Sequence, residues 1–245
     1  MKRLEKQVAV VTGASRGIGA AIAERLAADG AELVLHYSSG VDEVRALAGR
    51  LEAGGARVSL VQADLSRSDG VERFMAGLRA PRVDVLVNNA GVAPGAPFAE
   101  TTPEVFDAMM QVNVRSLFFL TQAVLARMPD GGRIINVSSA VTRTHLPGLS
   151  AYSASKGFVD TLTLHLAGEL ARRRITVNAV APGAIDTRMS AWIHGPGGKD
   201  MLNQIQALPG IGQPAHVAAA VAFLAGPDGA WTTGQVLDVS GGTKL

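Results

Sequence analysis

Residues 8–19 read Val8-Ala9-Val10-Val11-Thr12-Gly13-Ala14-Ser15-Arg16-Gly17-Ile18-Gly19, a short apolar run that passes through a glycine-rich turn into a segment of helical period. A continuous apolar run of this length suits a strand covered on both faces, as in a parallel sheet. Glycine lets backbone approach a bound group closely, and free amides at a helix N-terminus favour negative charge. A strand, turn and helix of this composition therefore predict a pyrophosphate site. Its candidate contacts are Gly13, Ser15, Arg16, Gly17, Ile18 and Gly19.

The alternation continues outward from that stretch. Strands are expected at Gln7–Thr12, Ala31–Tyr37, Arg57–Gln62, Val83–Asn88, Gly132–Ser138, Ile175–Val180 and Gln235–Val239. Helices are expected at Gly17–Ala28, Val41–Ala53, Ser68–Leu78, Pro103–Arg127, Ala151–Arg172 and Pro214–Ala225. This is the pattern of a single-domain α/β protein over residues 1–245, a Rossmann-type doubly wound sheet of seven parallel strands with helices on both faces. Ligands of such a sheet sit outside the carboxyl ends of the strands, where strand order reverses. Residues Ile185–Leu208, with Trp192, His194, Gly195, Pro196, Gly197 and Gly198, are too long for an ordinary connection. They predict a substrate-covering loop with short helical pieces, over about 185–210.

Composition excludes several functions. With 23 Lys+Arg against 21 Asp+Glu the charge is nearly balanced, so the basic pI predicts no nucleic-acid partner. The basic run Arg172–Arg174 is expected to complement the carbonyls at the end of the helix from Ala151. The chain has no cysteine, and its five histidines, His36, His145, His165, His194 and His216, lack ligand spacing, so no catalytic metal is expected. The apolar run Val8–Val11 is interrupted by Thr12 and Gly13, and Val217–Ala225 is far shorter than the ~20 residues of a membrane span. A soluble, cytoplasmic protein is expected.

Tyr152 and Lys156 stand one helical turn apart, with Ser139 thirteen residues before the tyrosine, at the end of an apolar run. A phenol, of ordinary pKa ~10, exchanges protons poorly at neutral pH unless a positive neighbour favours its phenolate. An i, i+4 lysine supplies one. On its own, Tyr-x-x-x-Lys also describes a buried tyrosine and a solvated lysine that share a helix face.

The spacing Gly-x-x-x-Gly-x-Gly at Gly13, Gly17 and Gly19 resembles the short-chain dehydrogenase/reductase family, and the likeness covers essentially the whole chain. Asn88-Asn89-Ala90-Gly91, Asn113, Ser139, Tyr152, Lys156 and Pro182-Gly183 follow in that family's order. The resemblance implies a catalytic set of Asn113, Ser139, Tyr152 and Lys156. In it Tyr152 is the acid/base, Lys156 lowers the phenol pKa and bonds the nicotinamide ribose, and Ser139 holds the substrate oxygen. Asn113 fixes a water that links Lys156 to solvent. The resemblance also places Asp64 and Leu65 at the adenine, Asn89, Ala90 and Gly91 at the adenosine ribose, and Ile185 and Thr187 at the carboxamide.

Where NAD-preferring members carry a carboxylate at the end of the second strand, this chain has Tyr37, Ser38 and Ser39. Hydroxyl donors there, with Arg16, suit a 2′-phosphate, so NADP(H) is the expected cofactor. The implied activity is reversible reduction of a ketone to an alcohol. A cofactor-binding regulator without catalysis is disfavoured by the competent residues at all four catalytic positions.

The general pattern is most like the 3-oxoacyl-(acyl carrier protein) reductases, but two departures affect the substrate. Met128-Pro129-Asp130 places a carboxylate where a carrier protein would favour basic residues, although Arg173 remains available to one. Thr142, followed by Arg143, Thr144, His145 and Leu146, stands where the family usually has a glycine and would help form the substrate wall. By resemblance a homotetramer is expected, with Leu117, Phe118, Phe119, Phe158, Leu162 and Leu166 on its paired helices.

Overall fold

A computed structural model describes residues 3–243, so the domain expected over 1–245 extends past the described residues at each end. Parallel strands β1 (Val8–Val11), β2 (Glu32–Tyr37), β3 (Val58–Gln62), β4 (Val85–Asn88), β5 (Arg133–Val137), β6 (Thr176–Pro182) and β7 (Val236–Val239) form one sheet. Their order is β3-β2-β1-β4-β5-β6-β7. Between β1 and β4 the winding reverses, which opens the crevice at their carboxyl ends.

Alternating side chains of each strand feed two apolar layers. Ala9 and Val11 of β1 pack with Ile22 and Leu26 of α1 (Gly17–Ala28), Leu47 of α2 (Val41–Ala53) and Val217 and Val221 on the helix at Pro214–Ala225. Val10 packs the opposite way, with Phe74 of α3 (Gly70–Gly77) and Leu120 and Val124 of the helix Leu117–Leu125. Each such fully buried side chain contributes roughly 1.5–3 kcal/mol.

One expected helix is remodelled. Pro103–Arg127 is α4 (Pro103–Met110), a wide turn at Gln111–Ser116 with π-helical bonding, and α5 (Leu117–Leu125). Thr102 caps the start, its hydroxyl accepting from the Val105 amide. The extra residue per turn rotates the side chains that follow, and turns of this kind are frequent at functional sites. Helix α6 (Ser150–Leu170) follows β5, and the loop before the last helix carries a short helical piece, Arg188–His194, and α7 (Gly198–Ile205), as expected of that insertion. Helix α8 is Pro214–Ala225.

A polar seam joins the sheet to its helices. The Asn88 amide donates to Thr121 Oγ1 and Asn136 Oδ1, both at 2.9 Å, and the Asn136 amide donates to Thr163 Oγ1, also at 2.9 Å. Buried and fully paired, these groups pin β4 and β5 beneath the crevice.

Arg173 turns away from the end of its own helix. Its guanidinium pairs with Asp130 at 3.2 Å and donates to the carbonyls of Leu125 and Met128, at the end of α5. Of the apolar residues expected on an exposed helix face, Leu117 is buried, whereas Phe118 and Phe119 remain exposed and stack edge to face. No helix among the described residues is long and apolar enough to cross a membrane.

Candidate active site

The turn after β1 is held from below by the segment after β4. Thr12 Oγ1 accepts from the amides of Asn89 and Ala90, both at 2.9 Å, and the Asn89 side chain donates to the carbonyls of Thr12 (2.8 Å) and Gly13 (3.1 Å). Gly13 and Gly17 lie in the left-handed region, at φ +64° and +56°. A Cβ on Gly19 would lie 2.3 Å from the Gly13 carbonyl oxygen, so only glycine lets the helix start this close to the turn. A Cβ on Gly17 would lie 3.3 Å from Thr187 Cγ2, which puts the segment after β6 against the same turn. No side chain caps the N-terminus of α1. Its free amides and the bare glycine backbone fit a diphosphate.

At the adenosine end, Ser38 and Ser39 are exposed. The Arg16 guanidinium lies beside Gly40 at the same strand end, 3.4 Å from where a Cβ on that glycine would stand. Asp64 accepts from the Ser66 amide (3.0 Å) and hydroxyl (2.7 Å), and these bonds hold its carboxyl below the usual range. Leu65 is buried beside it. Tyr37 requires correction as a cofactor contact through its ring: the side chain is 7% exposed and packs in the α1/α2 layer, because the strand's last inward position points to the core. It contributes its carbonyl, which accepts from Ala63.

The catalytic candidates converge at the carboxyl ends of β4 and β5. Tyr152 and Lys156 are buried on α6, with Ser139 near the phenol. Burial pushes the phenol above its ordinary value, with Ser139 opposing, so the expected lowering is reversed. The cause is loss of water, which penalises the phenolate. Lys156 Nζ donates to the Val137 carbonyl at 2.7 Å and lies 5.8 Å from the centre of the Tyr152 ring. Burial lowers its pKa to about 8, with the charge of Asp160 opposing.

Asn113 lies in the wide turn after α4. Its Oδ1 accepts from Val92 N at 2.9 Å, and its amide donates to Val92 O (2.8 Å) and Ser155 Oγ (3.0 Å). Ser155 Oγ in turn donates to the Tyr152 carbonyl at 2.7 Å. Asn113 thus ties the segment after β4 to the tyrosine's own helical turn. A Cβ on Gly91 would lie 3.3 Å from Asn113 Oδ1 and 3.5 Å from Lys156 Nζ, so Gly91 brings bare backbone to the lysine.

Opposite, Pro182 ends β6, and Gly183 packs so closely that a Cβ would lie 2.8 Å from Ser240 Cα. Ile185 is buried, and Thr187 Oγ1 donates to its carbonyl at 3.3 Å. Three large apolar side chains are exposed on the segments that follow β4 and β6, Phe98 on the first and Met189 and Trp192 on the insertion. The segment before Phe98 is joined to the one before α6 by Ala96 N donating to Gly148 O at 3.0 Å. After Ser139, Thr142 Oγ1 donates to Ser139 O at 3.1 Å, and Arg143 pairs with Asp238 on β7. Among the described residues no cluster suits a metal ion.

A family model described as enoyl-(acyl carrier protein) reductase matches residues 13–244. The chain belongs to the short-chain dehydrogenase/reductase family. Among relatives of this reductase, a 3-oxoacyl-[acyl-carrier-protein] reductase of a Synechocystis strain is 38% identical, over 100% of both chains. Versicolorin reductase 1 of Aspergillus parasiticus is 35% identical, over 98% of this chain and 97% of that one. The crystal structure of the angucycline C-6 ketoreductase LanV with bound NADP superposes with a TM-score of 0.95 at 44% identity, covering 99% of this reductase and 97% of that chain.

One residue of the site went unnoticed in the sequence. His36, 2% exposed on β2, bonds the Gly13 amide with one ring nitrogen and the Ala63 carbonyl with the other. A lone histidine in an apolar strand signals only a core position; its one distinguishing mark is that it is the sole polar side chain between Leu33 and Tyr37.

Proposed function

We propose that this short-chain dehydrogenase/reductase is an NADPH-dependent ketone reductase in which Tyr152 is the general acid, Ser139 holds the substrate oxygen, and Lys156 and Asn113 support the tyrosine. The observation that carries this reading is the buried set of Tyr152, Ser139 and Lys156 at the carboxyl ends of the strands, beside the glycine turn. When bound, the nicotinamide supplies a hydride to the carbonyl carbon. The chain supplies the proton: negative charge develops on the substrate oxygen, Ser139 donates a hydrogen bond to it, and the Tyr152 hydroxyl transfers its proton. A phenol held above its ordinary value stays protonated at neutral pH, the form needed for reduction. Lys156, cationic below about 8, then stabilises the phenolate. Asn113, through Val92 and Ser155, keeps the tyrosine's turn and the glycine segment in register.

NADP(H) is the cofactor, a reading supported by relatives solved with NADP or NADPH bound and by Arg16, Ser38 and Ser39 where a carboxylate would repel the 2′-phosphate. Gly13, Ser15, Gly17, Ile18 and Gly19 hold the diphosphate, Asp64 and Leu65 the adenine, Asn89, Ala90 and Gly91 the ribose side, and Pro182, Gly183, Ile185 and Thr187 the nicotinamide. The substrate class is a flat, apolar ring ketone. The exposed Phe98, Met189 and Trp192 on the segments after β4 and β6 support it, as do the names of the angucycline and versicolorin reductases. Engagement of Arg173 with Asp130 disfavours a carrier-protein partner. The working form is a cytoplasmic homotetramer; the exposed Phe106, Phe118, Phe119 and Leu164 support burial of helix faces between copies. NADPH consumption with polycyclic aromatic ketones, 3-oxoacyl thioesters and small diketones tests the reading. Preference for the polycyclic ketones is expected; preference for acyl thioesters would favour carrier-linked substrates, and binding without turnover of any of them would indicate a regulator.

A further inference from the structure

We infer that His36 is a positioning residue for the cofactor, setting the distance between the diphosphate turn and the adenine wall through one hydrogen bond to each. The inference rests on the reading of those two segments given above.

His36 lies on β2, between the two segments it bonds. Nδ1 lies 3.1 Å from the amide of Gly13, the first glycine of the turn, and that N–H can only donate. Nε2 lies 3.0 Å from the carbonyl of Ala63, which can only accept. The two partners therefore select one neutral tautomer, with the proton on Nε2 and a lone pair on Nδ1. Burial supports the neutral form, lowering the ring pKa to about 4 against the raising effect of the Ala63 bond and the charge of Asp64. Phe74 closes the remaining face of the ring, edge to face at 5.4 Å.

The backbone of His36 acts with its side chain, its carbonyl accepting from the Ala14 amide at 2.8 Å. Gly13 and Ala14 are thus both anchored to this one residue. Ala63 directly precedes Asp64 and Leu65, the candidate adenine contacts, so a shift of Ala63 moves them. Neither bond is needed for the sheet ladder, in which His36 is already paired with Val61 of β3. An ordinary apolar side chain would fill the same space. What it would not do is accept from the Gly13 amide, whose peptide is held on its other side by the bond from the Asn89 side chain to the Thr12 carbonyl.

The two bonds can be separated. His36→Asn retains an acceptor one bond from Cγ, in reach of Gly13, and gives up the Ala63 bond; His36→Gln places its amide farther out, near Ala63, and gives up the acceptor at Gly13. Steady-state kinetics with saturating ketone, NADPH affinity by fluorescence titration, and thermal melting are measured for both variants and the wild type. For His36→Gln, KM and Kd for NADPH rise about tenfold while kcat at saturation stays within about threefold, as expected for a lost bond to a buried group. For His36→Asn, which frees Ala63 and with it the adenine contacts, KM and Kd for NADPH likewise rise about tenfold with kcat within about threefold. A purely structural role would lower melting in both and leave KM unchanged in both, which overturns the inference, as does a KM within about threefold of wild type in either variant that folds. If His36→Gln does not fold, the His36→Asn arm decides alone. Failure of the wild type to bind NADPH would instead reject the reading of the cofactor site on which this one depends.

Discussion

Replacing Lys156 by methionine in a Tyr152→Phe background is expected to make stability depend on pH less steeply than it does with the lysine present. The ammonium is buried, and its pKa falls from 10.5 to about 8 on folding. Between those values the unfolded chain binds more protons than the folded one, so the lysine form gains stability as pH rises from about 8 to 10.5. At pH 7 both states are protonated and the folded state carries the whole cost of burying the charge. A difference of this size, at ~1.36 kcal/mol per pKa unit, amounts to about 3 kcal/mol. The bond from Lys156 to the Val137 carbonyl offsets ~1 kcal/mol of it. Lys156→Met should therefore melt higher at pH 7, by roughly 2–4 °C for each kcal/mol gained, and lose that advantage by pH 10.5. The Tyr152→Phe background removes the coupled phenol. Melting without NADP(H) by circular dichroism, from pH 6.5 to 10.5, measures the gap. A gap that stays constant across the range, or a methionine variant that melts lower at pH 7 and recovers at pH 10.5, refutes the reasoning.

Arg16→Ala should raise KM for NADPH about tenfold, the size of one charge-assisted bond at an exposed site, and change KM for NADH little; equal effects on the two in parallel titrations would remove Arg16 from the 2′-phosphate site. Gly19→Ala forces a Cβ to within 2.3 Å of the Gly13 oxygen, so the turn must move; a KM for NADPH at least tenfold higher, with melting lowered by a cost of ~1–3 kcal/mol, is expected, and wild-type values for both would contradict the packing. Arg173→Ala should lower melting through the lost carbonyl bonds, by ~1–2 kcal/mol, without changing kcat/KM for a ketone. Unchanged melting with weakened turnover of a carrier-linked substrate would reverse that assignment.

The sheet was legible because its central strands are buried on both faces and read as apolar runs, and because the glycine turn between Val11 and Ile18 allows few other structures. The wide turn at Gln111–Ser116 was not, since one extra residue in a helix barely disturbs an apolar period of 3.6. Spacing placed Tyr152, Lys156, Ser139 and Asn113 together but carried no information on burial. The direction of the tyrosine's shift is a contest between loss of water, visible only in the packed structure, and Ser139, which opposes it. The burial of Tyr37 was hidden for a related reason: a ring at a strand end shows its residue type but not the neighbours that engage it.

The proton-donor role of Tyr152 is tested most directly by single-turnover oxidation of NADPH on the Tyr152→Phe variant, with cofactor binding followed on the same sample. Retained NADPH binding with ketone reduction slowed at least a thousandfold is predicted, since loss of a general acid costs ~10²–10⁴ and the set acts as one unit. Reduction within tenfold of the wild-type rate would contradict the assignment.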